Sequence, residues 1–287
     1  MSIGVGITDR RMRARRIDRL NGSVFGAHAE ALVDDLVLSR DLNRFRILEQ
    51  GGHGVDVKAI ANTDTEAISA GGARLFGQGI AETDSGMINT TGAPYFSMVT
   101  TNETAHTIAI GTDVVLQPDT QGPVRMYGRF SLPDLSEMSF FFGFCGSAAA
   151  ALDPRVTGSG TTLTLVDDDL VGLLMDSGLT DADGLFLAYN KSNDAASIAT
   201  TADDVDPSFT IVVSTVYYIA MELDKLGNVA WAIQTADGGV AATGSRAAAL
   251  DADEEHAGVF YIQSLDADGT EQADGVAWGI DFYGDNS

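Results

Sequence analysis

Residues 215–239 read TVYYIAMELDKLGNVAWAIQTADGG, and no other stretch of this 287-residue chain constrains its fold so tightly. Tyr217, Ile219, Met221 and Leu223 alternate with Tyr218, Ala220, Glu222 and Asp224; after DKLGN, Val229, Trp231 and Ile233 alternate with Ala230, Ala232 and Gln234. A period of two sends successive side chains to opposite faces of an extended strand. The glycine of DKLGN supplies what a short hairpin turn needs. The stretch predicts a β-hairpin with one buried face.

The closing stretch GVAWGIDFYGD repeats the logic, with Val276, Trp278, Ile280 and Phe282 on one face. Further strand candidates are residues 124–132, 138–145, 161–166, 170–175, 184–190, 209–213 and 257–264, a set that suits two packed sheets. From about residue 47 onward, short β-rich runs alternate with Gly, Asp, Asn, Ser and Pro clusters, and long helical periodicity is missing. That pattern predicts an all-β sandwich or barrel. Upstream, ARLFG, PYFSMVTT and HTIAIGTDVVLQ read as strands, while VDDLVLSRDLNRFRILEQGG either starts as a helix or runs as two strands.

Charge divides the chain in two. Residues 1–46 carry nine arginines against six acids, so of the formal net charge of −24 residues 47–287 carry −27. A body so acidic repels DNA and anionic membranes at long range. Only three lysines occur, Lys58, Lys191 and Lys225, and the aspartate-rich surface suits salty surroundings. DRRMRARRIDR, residues 9–19, holds six of the fourteen arginines. Met12, Ile17 and Leu20 form no amphipathic stripe, so residues 1–30 are expected to be disordered alone or ordered only on a partner. The run is open to three readings: phosphate binding, which the acidic body opposes; a solvated tail; and an anchor whose guanidinium forks lie across carboxylates of a protein partner. The anchor is preferred, with Arg10, Arg11, Arg13, Arg15, Arg16 and Arg19 as its partner-binding residues. The opening MSIGVGITDRR lacks the apolar core of a secretion signal, and the apolar run around Phe140 to Leu152 is broken by glycine and serine, so neither secretion nor a membrane span is expected.

Catalytic chemistry finds little purchase. His28, His53, His106 and His256 are widely spaced, with no metal-ligand pattern. The single cysteine, Cys145, sits in SFFFGFCG and reads as a buried apolar residue. Glu222 and Asp224 share one strand face, as paired acids of a glycosidase do, but a lysine and a turn follow, which places them on the solvated side of the hairpin. Both tryptophans fall in register with aliphatic residues, so Trp231 and Trp278 belong in the core rather than on a sugar-stacking platform. No enzymatic activity and no cofactor is expected. Aspartate clusters recur at 167–169, 181–184, 251–255 and 266–271. Counted from Asp266, glycine stands fourth rather than sixth, which fails the EF-hand loop. Structural calcium at these turns therefore stands beside plain hairpin closure as an open reading.

The order GRFSLPDLSEMSFFFGFCG, DLVGLLMDSG, GLFLAYNKSN, the 215–239 hairpin and the last strand VAWGIDFYG resembles the concanavalin A-like, laminin-G-like jelly roll of virion proteins of tailed bacteriophages. VDDLVLSRDLNRFRILEQGG is similar to the opening of such domains. The resemblance implies an antiparallel jelly-roll β-sandwich, with the first strands of the sandwich or a small β-rich layer over 31–123 and the jelly-roll core over 124–287; the arginine run adds a basic, extended anchoring arm over 1–30. The resemblance further implies a virion structural protein on the capsid surface, decorating or cementing the shell. Its partners would be the major capsid protein or neighbouring copies in a homo-oligomer, with neither membrane nor nucleic acid. The alternative is a carbohydrate-binding, host-adhesion module of a tail or head fibre.

Overall fold

The computed structural model describes residues 44–50, 66–70, 73–77, 86–89, 96–100, 106–112, 116–146, 154–202, 205–266 and 271–283. In chain order the strands are β1 (Arg44–Gln50), β2 (Glu66–Ala70), β3 (Ala73–Gly77), β4 (Gly86–Asn89), β5 (Phe96–Val99) and β6 (Thr107–Gly111). A one-turn helix, α1 (Pro118–Gln121), precedes β7 (Val124–Ser131), β8 (Met138–Cys145), β9 (Val156–Ser159), β10 (Thr162–Leu165), β11 (Leu170–Asp176) and β12 (Phe186–Asn190). Then come β13 (Ser197–Ala199), β14 (Tyr217–Leu223), β15 (Val229–Thr235), β16 (Val240–Arg246), β17 (Ala257–Ser264) and β18 (Gln272–Tyr283).

The strands pair antiparallel into three sheets. Sheet I has eight strands in the order β16-β15-β14-β7-β18-β5-β4, with β1 also on β18; sheet II has seven, β12-β11-β8-β17-β6-β3-β2; sheet III has three, β13-β10-β9. The predicted hairpin forms as its alternation requires, with Met221 opposite Trp231 and Leu223 opposite Val229. Its turn is built by Asp224, whose carboxylate accepts the N–H groups of Leu226 at 2.8 Å and Asn228 at 3.0 Å and the side-chain amide of Asn228 at 2.8 Å. Gly227 takes the positive φ of +74° that the turn demands.

Burial follows the sequence periods. β7 and β14 alternate buried and half-buried residues, while β8, β11 and β17 are buried at every position. The unbroken apolar run MSFFFGFC is what a strand covered on both faces requires. Phe140, Phe142 and Phe144, with Phe260 of β17, face sheet I and meet Phe130 and Trp278 of that sheet in one core. Ring centroids there lie 4.5 Å apart for Phe130–Phe140 and 5.2 Å for Phe140–Phe260. Phe141 and Cys145 face the other way, against Val156, Leu163 and Leu165 of sheet III.

Sheet III is thus a third layer where two were expected. Residues 209–213, expected as a strand, run instead as irregular chain beside the free edge of β12, with Thr210 making one isolated bridge to Gly184. Leu185 and Leu187 of the β12 region donate their N–H groups to Phe209 O at 3.0 Å and Val205 O at 2.8 Å. β1, β4 and β5 lie in sheet I and β2, β3 and β6 in sheet II, all within one sandwich. Among the described residues no helix is long and apolar enough to cross a membrane.

Candidate functional site

The residues singled out in the sequence meet different fates. The six arginines of the arm, Arg10 to Arg19, lie outside the described residues. Trp231 and Trp278 are buried in the core between the large sheets, and Cys145 is buried beneath sheet III.

Glu222 and Asp224 are both committed to structure. Glu222 stands opposite Arg125 in the β14–β7 register and pairs with its guanidinium, and Asp224 ties the hairpin turn. The same outer face of sheet I carries Tyr127, Arg129 and Tyr218, with the Arg129 guanidinium 5.8 Å from the centre of the Tyr218 ring. Arg129 also bonds the carbonyl of Gly275. The alternation VRMYGRFS already places Arg125, Tyr127 and Arg129 on one face.

One end of sheet II gathers the most interconnected polar cluster. β8 and β12 end there while β11 and β17 begin, because Cys145 pairs with both Leu170 and Ala257 and Leu170 pairs with Asn190. Two aspartate-rich turns far apart in sequence therefore meet. The Asp251 N–H donates to both Asp169 carboxylate oxygens, at 3.1 and 3.3 Å. His256 Nε2 lies 2.7 Å from the Asp251 carbonyl and 3.6 Å from Asp169 Oδ2. Lys191 Nζ approaches Asp251 at 3.8 Å, and the Ser192 hydroxyl bonds the same carboxylate.

Burial lowers the His256 pKa and favours the neutral ring, with Nε2–H donating to the Asp251 carbonyl; Nδ1 is buried without a hydrogen-bond partner. Burial also pushes the Asp169 carboxyl up to about 6, against the opposing hydrogen bond from Asp251. The cluster fastens turns to one another. Among the described residues no group of three or more His, Cys, Asp or Glu side chains comes together as a metal-binding set.

The opposite end of the sandwich holds a shallow pocket of about 640 Å³ lined by Leu135, Ser136, Glu137, Ser177, Thr180, Asp181, Ala182 and Asp183. Burial raises the Asp181 pKa, as do a hydrogen bond to Asp183 and the charges of Asp183 and Asp206. Nearby, Glu271 is only 5% exposed. Burial pushes its carboxyl up to about 7, and the charges of Asp134, Glu137 and Asp266 push the same way. Asp176, at the end of β11, accepts the N–H groups of Gly158 and Gly178, both at 2.8 Å, and so ties sheet III to sheet II. Asp176 does not stand out in the sequence, because a lone acid at a strand end carries no local sign of burial; Glu271 closes the acidic cluster 266–271, which shows a turn but not that its last carboxyl is buried.

The comparisons with known proteins bear on this fold. A solved structure of a protein of unknown function from Shewanella oneidensis MR-1 is similar at a TM-score of 0.53 and 12% identity, over 88% of this chain and 94% of that one. The chain folds as an antiparallel jelly-roll β-sandwich. Peanut lectin matches at a TM-score of 0.46 and 10% identity, over 83% of this chain and 97% of that one. The CBM2 module of an evolved Dit protein of Lactobacillus casei BL23 phage J-1 matches at 0.43 and 10%, over 84% and 99%. At such identities the likeness is one of fold alone. Neither a protein-family model nor a curated protein sequence matches this chain.

Proposed function

We propose that this chain is a virion structural protein of a tailed phage, a jelly-roll body held on the capsid by its arginine-rich arm. The observation that carries the reading is the partition of charge. Positive charge concentrates in residues 1–46, whereas the described body exposes carboxylates at both ends of the sandwich, around Asp251 and Asp253 at one and Asp181, Asp183 and Asp206 at the other. An acidic body keeps particles apart in salty water, and a basic arm grips locally.

Each exposed arginine–carboxylate pair contributes about 0.2–1 kcal/mol, so useful affinity comes from several pairs on each of many copies held on one lattice. Deleting residues 1–26 tests this. The shortened protein should keep its β-sheet spectrum and its melting transition but no longer sediment with particles; a shortened protein that still attaches normally refutes the anchor.

The carbohydrate-binding alternative rests on one observation, the outer face of sheet I, where Tyr127 and Tyr218 are half-buried beside Arg125 and Arg129. Aromatic rings flanked by polar groups can stack on sugars. Glycan-array binding by the arm-deleted body, lost in Tyr218→Ala, favours that reading.

A further inference from the structure

Sheet I ends in a strand that nothing among the described residues covers. β16 pairs with β15 on one side and is the last strand on that side of the sheet. Val240 is 63% exposed, and Ala241, Thr243 and Ser245 are exposed as well. The equivalent edge of sheet II is treated differently: the chain at Val205–Ile211 runs beside β12 and accepts the N–H groups of Leu185 and Leu187. Soluble proteins blunt exposed edges with lysine, proline, inward charges or covering loops, because an open ladder recruits another strand. β16, VAATGSR, has no proline, no lysine and no acid, and its bulge against β15 is confined to the Val240–Ala242 end.

We propose that β16 is a homotypic interface, pairing antiparallel with β16 of a second copy so that two copies of sheet I become one continuous sheet. The choice of a second copy follows from self-complementarity. A two-fold axis through Thr243 places Ala242 opposite Gly244, Ala241 opposite Ser245 and Val240 opposite Arg246. No like charges meet, although the chain carries 41 acids. The whole stretch 238–250 is free of acids, and Asp237, just before it, comes opposite Ala249 of the other copy. On the face that carries Thr243 and Ser245, their β15 neighbours beside the seam are the small residues Ala232 and Ala230. The acidic surfaces further out repel, and salt screens that repulsion. Pairing therefore tightens as salt rises, opposite to the behaviour of an arginine arm on carboxylates. The interface does not depend on the proposed virion role.

Charge exchange at Thr243 in the full-length protein provides the test, read as mass by light scattering after size exclusion. Wild type is expected as a dimer that dissociates less at high salt. Thr243→Glu and Thr243→Lys, each placing like charges across the axis at an exposed position, should run as folded monomers, and an equimolar mixture of the two should recover the dimer. A separate Thr243→Cys variant should cross-link between copies on oxidation, with Cys145 buried and silent. A monomeric wild type, or homodimers that persist in both charged variants, overturns the proposal.

Discussion

Gly172 on β11 leaves room for the ring of Phe141 on β8: a Cβ at residue 172 would lie 2.4 Å from two of its ring carbons. The ring so accommodated stacks on Tyr261 of β17, with centroids 5.3 Å apart, and forms part of the layer under sheet III. Across the ladder Gly143 is equally tight, since a Cβ there would meet the Val171 carbonyl and the Gly172 Cα at 2.4 Å. A ring end can shift, whereas backbone in mid-sheet cannot. Gly172→Ala is expected to cost about 1–3 kcal/mol and Gly143→Ala more, as measured by chemical denaturation. Equal and negligible losses would contradict the packing described.

The hairpin acids separate a structural role from a catalytic one. Asp224→Ala removes the acceptor of three hydrogen bonds at the turn and should cost about 1–2 kcal/mol. Glu222→Ala loses only a half-exposed ion pair and should cost less than about 1 kcal/mol. Urea melts of the two variants check the order. The reverse order would show that the Arg125 pair rather than the turn organises the hairpin.

Glu271 imposes a pH dependence whose sign is fixed. Its carboxyl is pushed up to about 7 from an ordinary 4.5, so the folded protein binds this proton more tightly than the unfolded chain. The resulting stabilisation is complete below pH 4.5 and is lost as pH rises toward 7. Glu271→Gln, a permanent mimic of the protonated form, should match wild type below pH 4.5 and melt several degrees higher above pH 7. Thermal melts across that range would contradict the account if the variant were less stable at the alkaline end. His256 acts in the opposite sense, because burial lowers its pKa and its protonation destabilises the fold as pH falls below 6.5.

The arm makes a salt prediction. Attachment of the full-length protein to particles should weaken steadily as salt rises, because contacts between exposed charges are screened. Cosedimentation at increasing sodium chloride measures it, and attachment indifferent to salt would point to an apolar dock instead.

Period-two patterns and apolar runs make most of the sandwich legible in the sequence alone. β14, β15 and β18 were readable from alternation, and β8 and β17 from runs whose ends match the strands. β16 escaped notice because VAATGSR has neither bulk nor alternation, being an edge strand with little to bury. β9 and β13 are short, and their role as a third layer depends on what they cover rather than on their own pattern. Residues 209–213 looked like a strand because Ile211, Val212 and Val213 are β-formers; Ile211 is buried, but Val212 and Val213 are about half exposed and the segment joins no sheet. The aspartate clusters were visible as turns. Their meeting at His256 was not, since it depends on the register that brings β11 and β17 to opposite sides of β8. Glu271 and Asp176 acquire their character from burial, which neither the last acid of a turn cluster nor a single acid at a strand end announces.

The most direct test of the virion role is the copy number of this chain in purified particles, by quantitative mass spectrometry against the major shell protein. A decorating or cementing protein is recovered at a ratio comparable with the shell protein's, and that is the expected result. Absence from particles, or only a handful of copies in each, would contradict it.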